Sequence, residues 1–455
     1  MGSLILIPPI ITFAFLIWRG FNWTLLYWWI PLMIWVPVYI EYDAPGVPPL
    51  TFYLTGFLPF IVRREMWISA FHDRHWLDFW VYAFIGIIST CEYVTTGFNA
   101  GRQMMLLSSL TFLGPYLAVK YTVLHARTGD AMARVFVWNL AFVALYSVWT
   151  FRMGVNHFLV LLQHWPYYYE TTGHIVVIPR WGFFRAMGPF VHPISAGIAF
   201  GFVLPMAFWQ FYDKKLNPPI KGLALLALCA FGLFMTMSRG PYLGGMIAIG
   251  LFLIGQSKDR LRLFGLVGLI SIFMSVPLTL KISDYLSLTR ETAKSDTQET
   301  ALYRKDLIDN YLQVIAEKPI TGYGFLNVPY VGDQNSIDNA YILFALNWGY
   351  FSVLAFLVLG VGTLVCLFRL GFQDKIDEHN RGACWMLMGG IAGCMFSMTT
   401  VFLARPISTM FFMCCGWSTA LFLHWRRGTM RDSEEGVTEE EQVIEEEERP
   451  RMRIL

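Results

Sequence analysis

The chain has 455 residues, of which 56% are apolar, 17% aromatic and only 15% charged, with a formal net charge of +2. That balance excludes an ordinary soluble domain, while the net charge itself says little because the information lies in how the charges are distributed. Apolar runs of about 15–22 residues recur along the whole length, enough to cross a hydrocarbon core of about 30 Å, so an all-α polytopic membrane protein with about 12 transmembrane helices is expected.

In chain order the apolar runs are Leu4–Trp18, Trp23–Ile40, Leu50–Val62, Phe79–Val94, Met104–Leu124 and Val135–Phe151. They continue with Val191–Tyr212, Ile220–Met237, Tyr242–Gln256, Leu261–Leu280, Ala340–Leu370, Ala383–Leu403 and Ile407–Trp425. The first run lacks a basic segment before it, so no cleavable signal peptide is expected. Basic groups alternate between successive spans: Arg63-Arg64, Arg127 with Arg134, Lys214-Lys215 with Lys221, Lys258-Arg260-Arg262, Arg369 with Lys375, and Arg426-Arg427 with Arg431. The positive-inside bias puts these on the cytoplasmic side with the C-terminus, which makes the loops at about 152–190 and 282–339 external. Residues 1–429 then form one transmembrane domain. Residues 430–455, rich in Glu and poor in apolar side chains, read as a disordered acidic cytoplasmic tail. The seven cysteines form no CxxC pair and no cluster with histidine, so they read as small apolar residues, and no metal site is expected.

The second external loop is polar from Ile282 to Thr300. Leu302, Leu307, Ile308, Tyr311, Leu312 and Ile315 then recur at helical spacing, which predicts an amphipathic helix of about four turns ended by Pro319. A Thr321-Gly322-Tyr323-Gly324 turn follows, and Ser336 or Asp338 is expected to cap the span that opens near Ala340.

Arginines at external ends run against the positive-inside bias, yet Arg180, Arg185, Arg239, Arg290 and Arg304 all map there. Arg239 stands in Met237-Ser238-Arg239-Gly240-Pro241, a turn with almost no loop between two spans, and no acid is near it in sequence. A guanidinium held there suits a diphosphate, whose oxygens match its planar fork; snorkelling to headgroups is the bland alternative. Arg185 lies in Arg185-Ala186-Met187-Gly188-Pro189-Phe190, directly before a span, with His192 beside it. His192 reads either as a structurally satisfied histidine or as a ligand or proton carrier. Asp338 reads as a helix cap or as a base toward an attacking hydroxyl. Trp165-Pro166-Tyr167-Tyr168-Tyr169 and Tyr330 read as interface aromatics or sugar-stacking groups.

These residues, in this order and topology, resemble the O-antigen ligase and Wzy-type polymerase superfamily of bacterial multi-pass membrane glycosyltransferases. The carriers are the Arg185–Phe190 segment, Ser238-Arg239-Gly240, Arg304, Lys318-Pro319-Ile320-Thr321-Gly322-Tyr323-Gly324, and Asp338-Asn339-Ala340-Tyr341. The resemblance implies an external cavity that takes an oligosaccharide on undecaprenyl diphosphate and passes the glycan to an acceptor hydroxyl. It implies no cofactor and no metal, with Asp338, Arg239 and Arg304 as catalytic groups. Arg185, Arg239, Arg304, Arg290, His192 and Tyr323 would bind diphosphate or glycan. Ligases of this kind carry His-Asn/Ser/Gln, nine residues, then Gly-x-x-Gly/Thr/Tyr. Here Asp338-Asn339 is followed by nine residues and then Gly349-Tyr350-Phe351-Ser352, with Asp338 in place of the histidine and Ser352 in the last position.

That departure favours an inverting polysaccharide polymerase of the bacterial inner membrane, acting at the periplasmic face in exopolysaccharide or cell-envelope synthesis. The alternatives are a ligase to a lipid or protein acceptor, and a transporter of the lipid-linked glycan. The transporter is disfavoured because the charges cluster at one face and no repeat is visible. Partners implied are the undecaprenyl diphosphate-linked donor, a glycan acceptor, membrane lipid, and chain-length-regulating or export proteins, with no nucleic acid.

Overall fold

The computed structural model describes residues 2–38, 40–44, 47–163, 179–214, 216–270, 273, 296–332, 334 and 336–428. Arg290, the Trp165–Tyr169 cluster and the acidic tail lie outside the described residues, as does most of the run Leu261–Leu280 beyond a helical stretch at 260–270.

The chain folds into an α-helical bundle. Its principal helices are α1 (Ile7–Trp18), α2 (Phe52–Ile61), α3 (Arg64–Phe71), α4 (Trp76–Thr96), α5 (Phe98–Ser108), α6 (Gly114–Ala126), α7 (Gly129–Met153), α8 (Pro193–Tyr212), α9 (Pro219–Met235), α10 (Arg239–Gln256), α11 (Asp296–Glu317), α12 (Ala340–Gly371), α13 (Glu378–Ser397) and α14 (Ile407–Arg426). Between α1 and α2, Gly20–Thr24, Leu25–Trp29 and Ile30–Trp35 run on as one helix with a π turn at its centre, and a second π turn at Ser109–Leu113 joins α5 to α6. Among the described residues, strand is confined to two antiparallel ribbons: β1 (Glu41–Ala44) with β2 (Val47–Thr51), and β3 (Pro179–Arg180) with β4 (Phe183–Phe184).

By length and composition α4, α7, α8, α12 and α14 are able to cross a membrane. Among the described residues, the other expected spans coincide with helices that are shorter, interrupted or more polar. All seven cysteines are buried free thiols among apolar helices. The surface loop helix is longer than its apolar spacing predicts. It starts at Asp296, inside the stretch that shows no period, and runs 22 residues to the last turn before Pro319. Leu307, Tyr311 and Ile315 line its buried face, while Ile308 and Leu312 remain exposed. The residues Asp296–Thr300 carry no apolar side chain in sequence, so periodicity cannot register them.

Small residues set the closest helix contacts. Where α10 crosses α13 there is no room for a Cβ at Gly244, Gly389 or Gly393, since each faces backbone of the other helix. Lipid offers no hydrophobic drive between apolar helices, so backbone approach of this kind is a main source of packing energy. α8 is buried nearly all round between α7, α9, α10 and α13.

The basic segments gather at one end. Arg427 and His125 both bind Asp73, at 2.7 Å each. His379 bridges Asp213 and Asp130 at 2.6 and 2.9 Å. The Arg260 guanidinium lies over Phe372. Just inside this end, Lys120 reaches both oxygens of Asp78 at 2.8 Å, and Tyr116 donates to Asp78 at 2.6 Å. Both charges are almost fully buried. An ion pair at that depth holds only while both members are present. Lys120→Met is expected to destabilise the fold by about 3–5 kcal/mol, read as a drop in thermal midpoint in detergent. Adding Asp78→Asn to Lys120→Met is expected to recover part of that loss.

Candidate active site

The opposite end of the bundle is built on the turn between α9 and α10. Met237 takes a left-handed conformation there, at φ 49, which costs a non-glycine residue about 1–2 kcal/mol. It is held because every carbonyl of the closing turn has a donor. Leu233 O accepts from the Thr236 hydroxyl at 2.7 Å, Phe234 O from the Met237 amide at 3.0 Å, and Met235 O from the Ala186 amide at 3.0 Å. Thr236 O accepts from Arg185 Nε at 3.2 Å, and Met237 O from Arg180 Nη1 at 2.6 Å. Arg185 Nη2 also donates to Ser238 Oγ at 2.8 Å, which donates in turn to Thr236 O at 2.9 Å.

Two guanidiniums thus sit on the negative C-terminal end of α9, where cations are favoured. Arg185 is buried. Burial and the neighbouring Arg180 pull its pKa down to about 10, so it keeps its charge at neutral pH. Ser238 precedes α10, but its hydroxyl is turned back onto Thr236 rather than forward onto the first-turn amides. Arg239 opens α10 and is exposed.

The start of α12 comes to the same place. The Ala340 amide donates to Met398 O and Val401 O, and Gly240 lies against Thr400, so α10 and α12 share the 398–401 loop as a floor. The cap of α12 is Asn339, whose Oδ1 accepts from the Tyr341 and Ile342 amides at 3.0 and 3.2 Å. That corrects the expectation of Ser336 or Asp338. Asp338, one residue outside the helix, accepts from the Ser336 hydroxyl at 2.8 Å instead. It is half-buried, and so is left beside the site rather than within the helix end.

His192 faces this group across the start of α8. Its Nδ1 accepts from the Ile194 amide at 3.1 Å, so it caps α8 as a neutral ring protonated on Nε2. Burial lowers its pKa to about 4; the Arg185 guanidinium adds to the shift and the Asp338 carboxylate opposes it. Arg185 and Asp338 thus both act on His192, and Asp338, distant in sequence from the other two, is brought to them by the start of α12. His192 Nδ1 is committed to the cap of α8.

Arg304 lies half-buried on α11, and α11 is laced to the segment that carries Asp338. Tyr303 donates to Ser336 O and Tyr311 to Gln334 O, both at 3.1 Å. At its far end the Thr-Gly-Tyr-Gly turn threads into a break in α12. Trp348 and Gly349 leave helical geometry there, with Gly349 at φ 73. The Tyr323 and Gly324 amides donate to Leu346 O and Asn347 O at 2.7 and 2.9 Å, and the Tyr350 amide donates to Pro319 O at 2.8 Å. The two chains touch backbone to backbone, with no space for a Cβ at Gly322 or Gly349. Tyr323 is used within this lacing: its hydroxyl donates to Glu317 at 2.7 Å and to Val314 O at 3.2 Å.

Glu92, buried in α4, closes the arrangement. Its carboxylate accepts from Trp348 Nε1 and the Phe325 amide, both at 3.0 Å, and from the Thr96 hydroxyl at 3.3 Å. Sequence reasoning passed over it. An acid inside the apolar run Phe79–Val94 was the available signal. Among the described residues no group of three or more His, Cys, Asp and Glu is placed to hold a metal ion.

Fold and site together define a multi-pass all-α membrane protein with a cationic turn, a half-buried acid beside it and a laced surface helix at one end. Residues 224–357 match the family model described as O-antigen ligase. That stretch takes in the Arg239 turn, α10, α11, Asp338 and α12 through its break, and it supports a glycan ligase- or polymerase-type membrane enzyme. No curated protein matches the chain.

The His192 cap has a pH signature. The folded state keeps the ring neutral down to about pH 4, while the unfolded chain protonates it near 6.5. In that window the unfolded state binds the extra proton, so stability falls as pH is lowered. His192→Asn preserves a capping oxygen without titrating. It is expected to flatten the decline in thermal midpoint between pH 6.5 and 4.

Proposed function

We propose that the protein is a polysaccharide polymerase that transfers glycan from an undecaprenyl diphosphate-linked oligosaccharide to an acceptor sugar hydroxyl. The observation that carries this reading is the exposed Arg239 at the N-terminus of an 18-residue helix, backed by two further arginines committed to the turn behind it. A helix N-terminus and a guanidinium together favour a multiply charged oxygen anion. Departure of the lipid diphosphate concentrates negative charge on that group, and a preorganised cationic site stabilises charge where it develops. Arg304 on α11 faces the same task from the laced loop. Asp338 accepts the proton of the attacking hydroxyl, or orients it, in a single displacement with inversion.

The site lies at the end opposite the basic segments, which by the positive-inside bias is the periplasmic face of the inner membrane, with the C-terminus cytoplasmic. The family description favours a second reading, glycan ligation to a lipid or protein acceptor. Asp338 in the histidine position favours the polymerase.

Purified full-length protein supplied with undecaprenyl diphosphate-linked repeat units is expected to build a ladder of longer lipid-linked products. Arg239→Ala is expected to lower the rate by about a hundredfold or more, with the fold intact. Asp338→Asn is expected to cost a similar factor, within the roughly 10²–10⁴ range of general-base groups. Wild-type ladders from Arg239→Ala would overturn the diphosphate assignment. Transfer seen only when a lipid or protein acceptor is added would establish the ligase.

A further inference from the structure

We infer that Arg180 is a positioning residue: it clamps the left-handed Met237 turn so that Arg239 is held facing the site, and it does not itself bind substrate. Arg180 lies on β3, in a ribbon whose second strand, β4, leads directly into Arg185. Its Nη1 donates to Met237 O at 2.6 Å, while Arg185 Nε donates to Thr236 O on the other side of the same strained residue. The two guanidiniums thus grip the peptide groups that flank the one unfavourable φ in the turn, and Arg239 follows Met237 by two residues. Nothing else in the ribbon reaches that carbonyl: Met237 O has Arg180 as its donor, whereas the four preceding carbonyls are served by Thr236, Met237, Ala186 and Arg185. The Tyr242 hydroxyl also holds Phe234 O, and the Ser238 hydroxyl Thr236 O, but losing Arg180 removes the donor to Met237 O, and the direction of Arg239 relaxes with it. Strain held in place beside a site in this way is a form of preorganisation.

The inference uses the proposed transfer reaction as one readout, and a second readout is independent of it. The test is a double-mutant cycle between Arg180 and Met237. Met237→Gly and Met237→Asn both tolerate the left-handed region, so neither needs the clamp. They carry opposite liabilities at a buried position, one a lost side chain and the other a buried amide, so the pair keeps the test open if one folds poorly. Met237→Leu keeps the strain and serves as control.

Arg180→Met is expected to slow transfer by about tenfold in the wild-type and Met237→Leu backgrounds, and by less than about threefold in the Gly and Asn backgrounds. Hydrogen exchange of the amides at 236, 237 and 242 is expected to follow the same cycle, faster with Arg180→Met and restored where the left-handed conformation is tolerated. An Arg180→Met effect of equal size in all four backgrounds, by rate or by exchange, would overturn the inference; a rate effect of equal size with no change in exchange would make Arg180 a direct substrate contact. Full activity in Arg239→Ala would instead overturn the diphosphate reading, and the exchange cycle would still decide the clamp.

Discussion

In an apolar environment a backbone carbonyl that leaves a helix must find another donor, and this bundle is arranged around the places where that demand arises. The closing turn of α9 frees several carbonyls at once, and two arginines, a threonine and an amide from the β4 segment take them. The break in α12 frees Leu346 O and Asn347 O, which the Thr-Gly-Tyr-Gly turn takes. In both cases at least one donor comes from outside the element, the 180–186 segment at α9 and the 321–324 turn at α12. The repair of the backbone therefore also fixes where that loop lies, and the loops so fixed are those that carry Arg185, Arg304 and Asp338.

The break explains a spacing that reads as a bare motif in the sequence. Asn339 caps the first half of α12 and Gly349 sits at the break. The nine residues between them are the length of one short half-helix. Ser352, which departs from the ligase pattern, has a local role: its hydroxyl donates to Phe344 O at 3.1 Å and to Gly349 O at 2.7 Å, serving carbonyls that the break exposes. The departure at Ser352 is thus a matter of how the break is satisfied.

Span positions were legible because they depend on local composition. The run Val191–Tyr212 becomes Pro193–Tyr212, and Ile407–Trp425 becomes Ile407–Arg426. The position of Arg239 at a turn between two helices was legible for the same reason, as a charge where apolar sequence leaves no loop. The interruption of α12 was not legible, since Asn347-Trp348-Gly349 sits in a run apolar enough to read as one span. What bends it is the arrival of Pro319–Gly324 from outside. Glu92 was missed for a related reason: its donors, Trp348 and Phe325, are more than two hundred residues away. The identity of the α12 cap turned on one residue of register, which pattern alone does not fix.

The charges at the site end are divided by how they are satisfied. Glu92 has its oxygens taken by an indole, an amide and a hydroxyl, all neutral, so the lacing of the break uses no arginine. Arg180 and Arg185 donate to neutral carbonyls and a hydroxyl, which hold the guanidiniums in place without cancelling their charge. His192 is kept uncharged by burial and by Arg185, so it adds no competing cation near Asp338. The result is a turn whose fixed arginines keep their charge, with Arg239 exposed two residues after Met237. Had Asp338 capped α12, its oxygens would be spent on backbone amides. Because Asn339 takes that task, the Asp338 carboxylate retains acceptor capacity beyond its bond from Ser336.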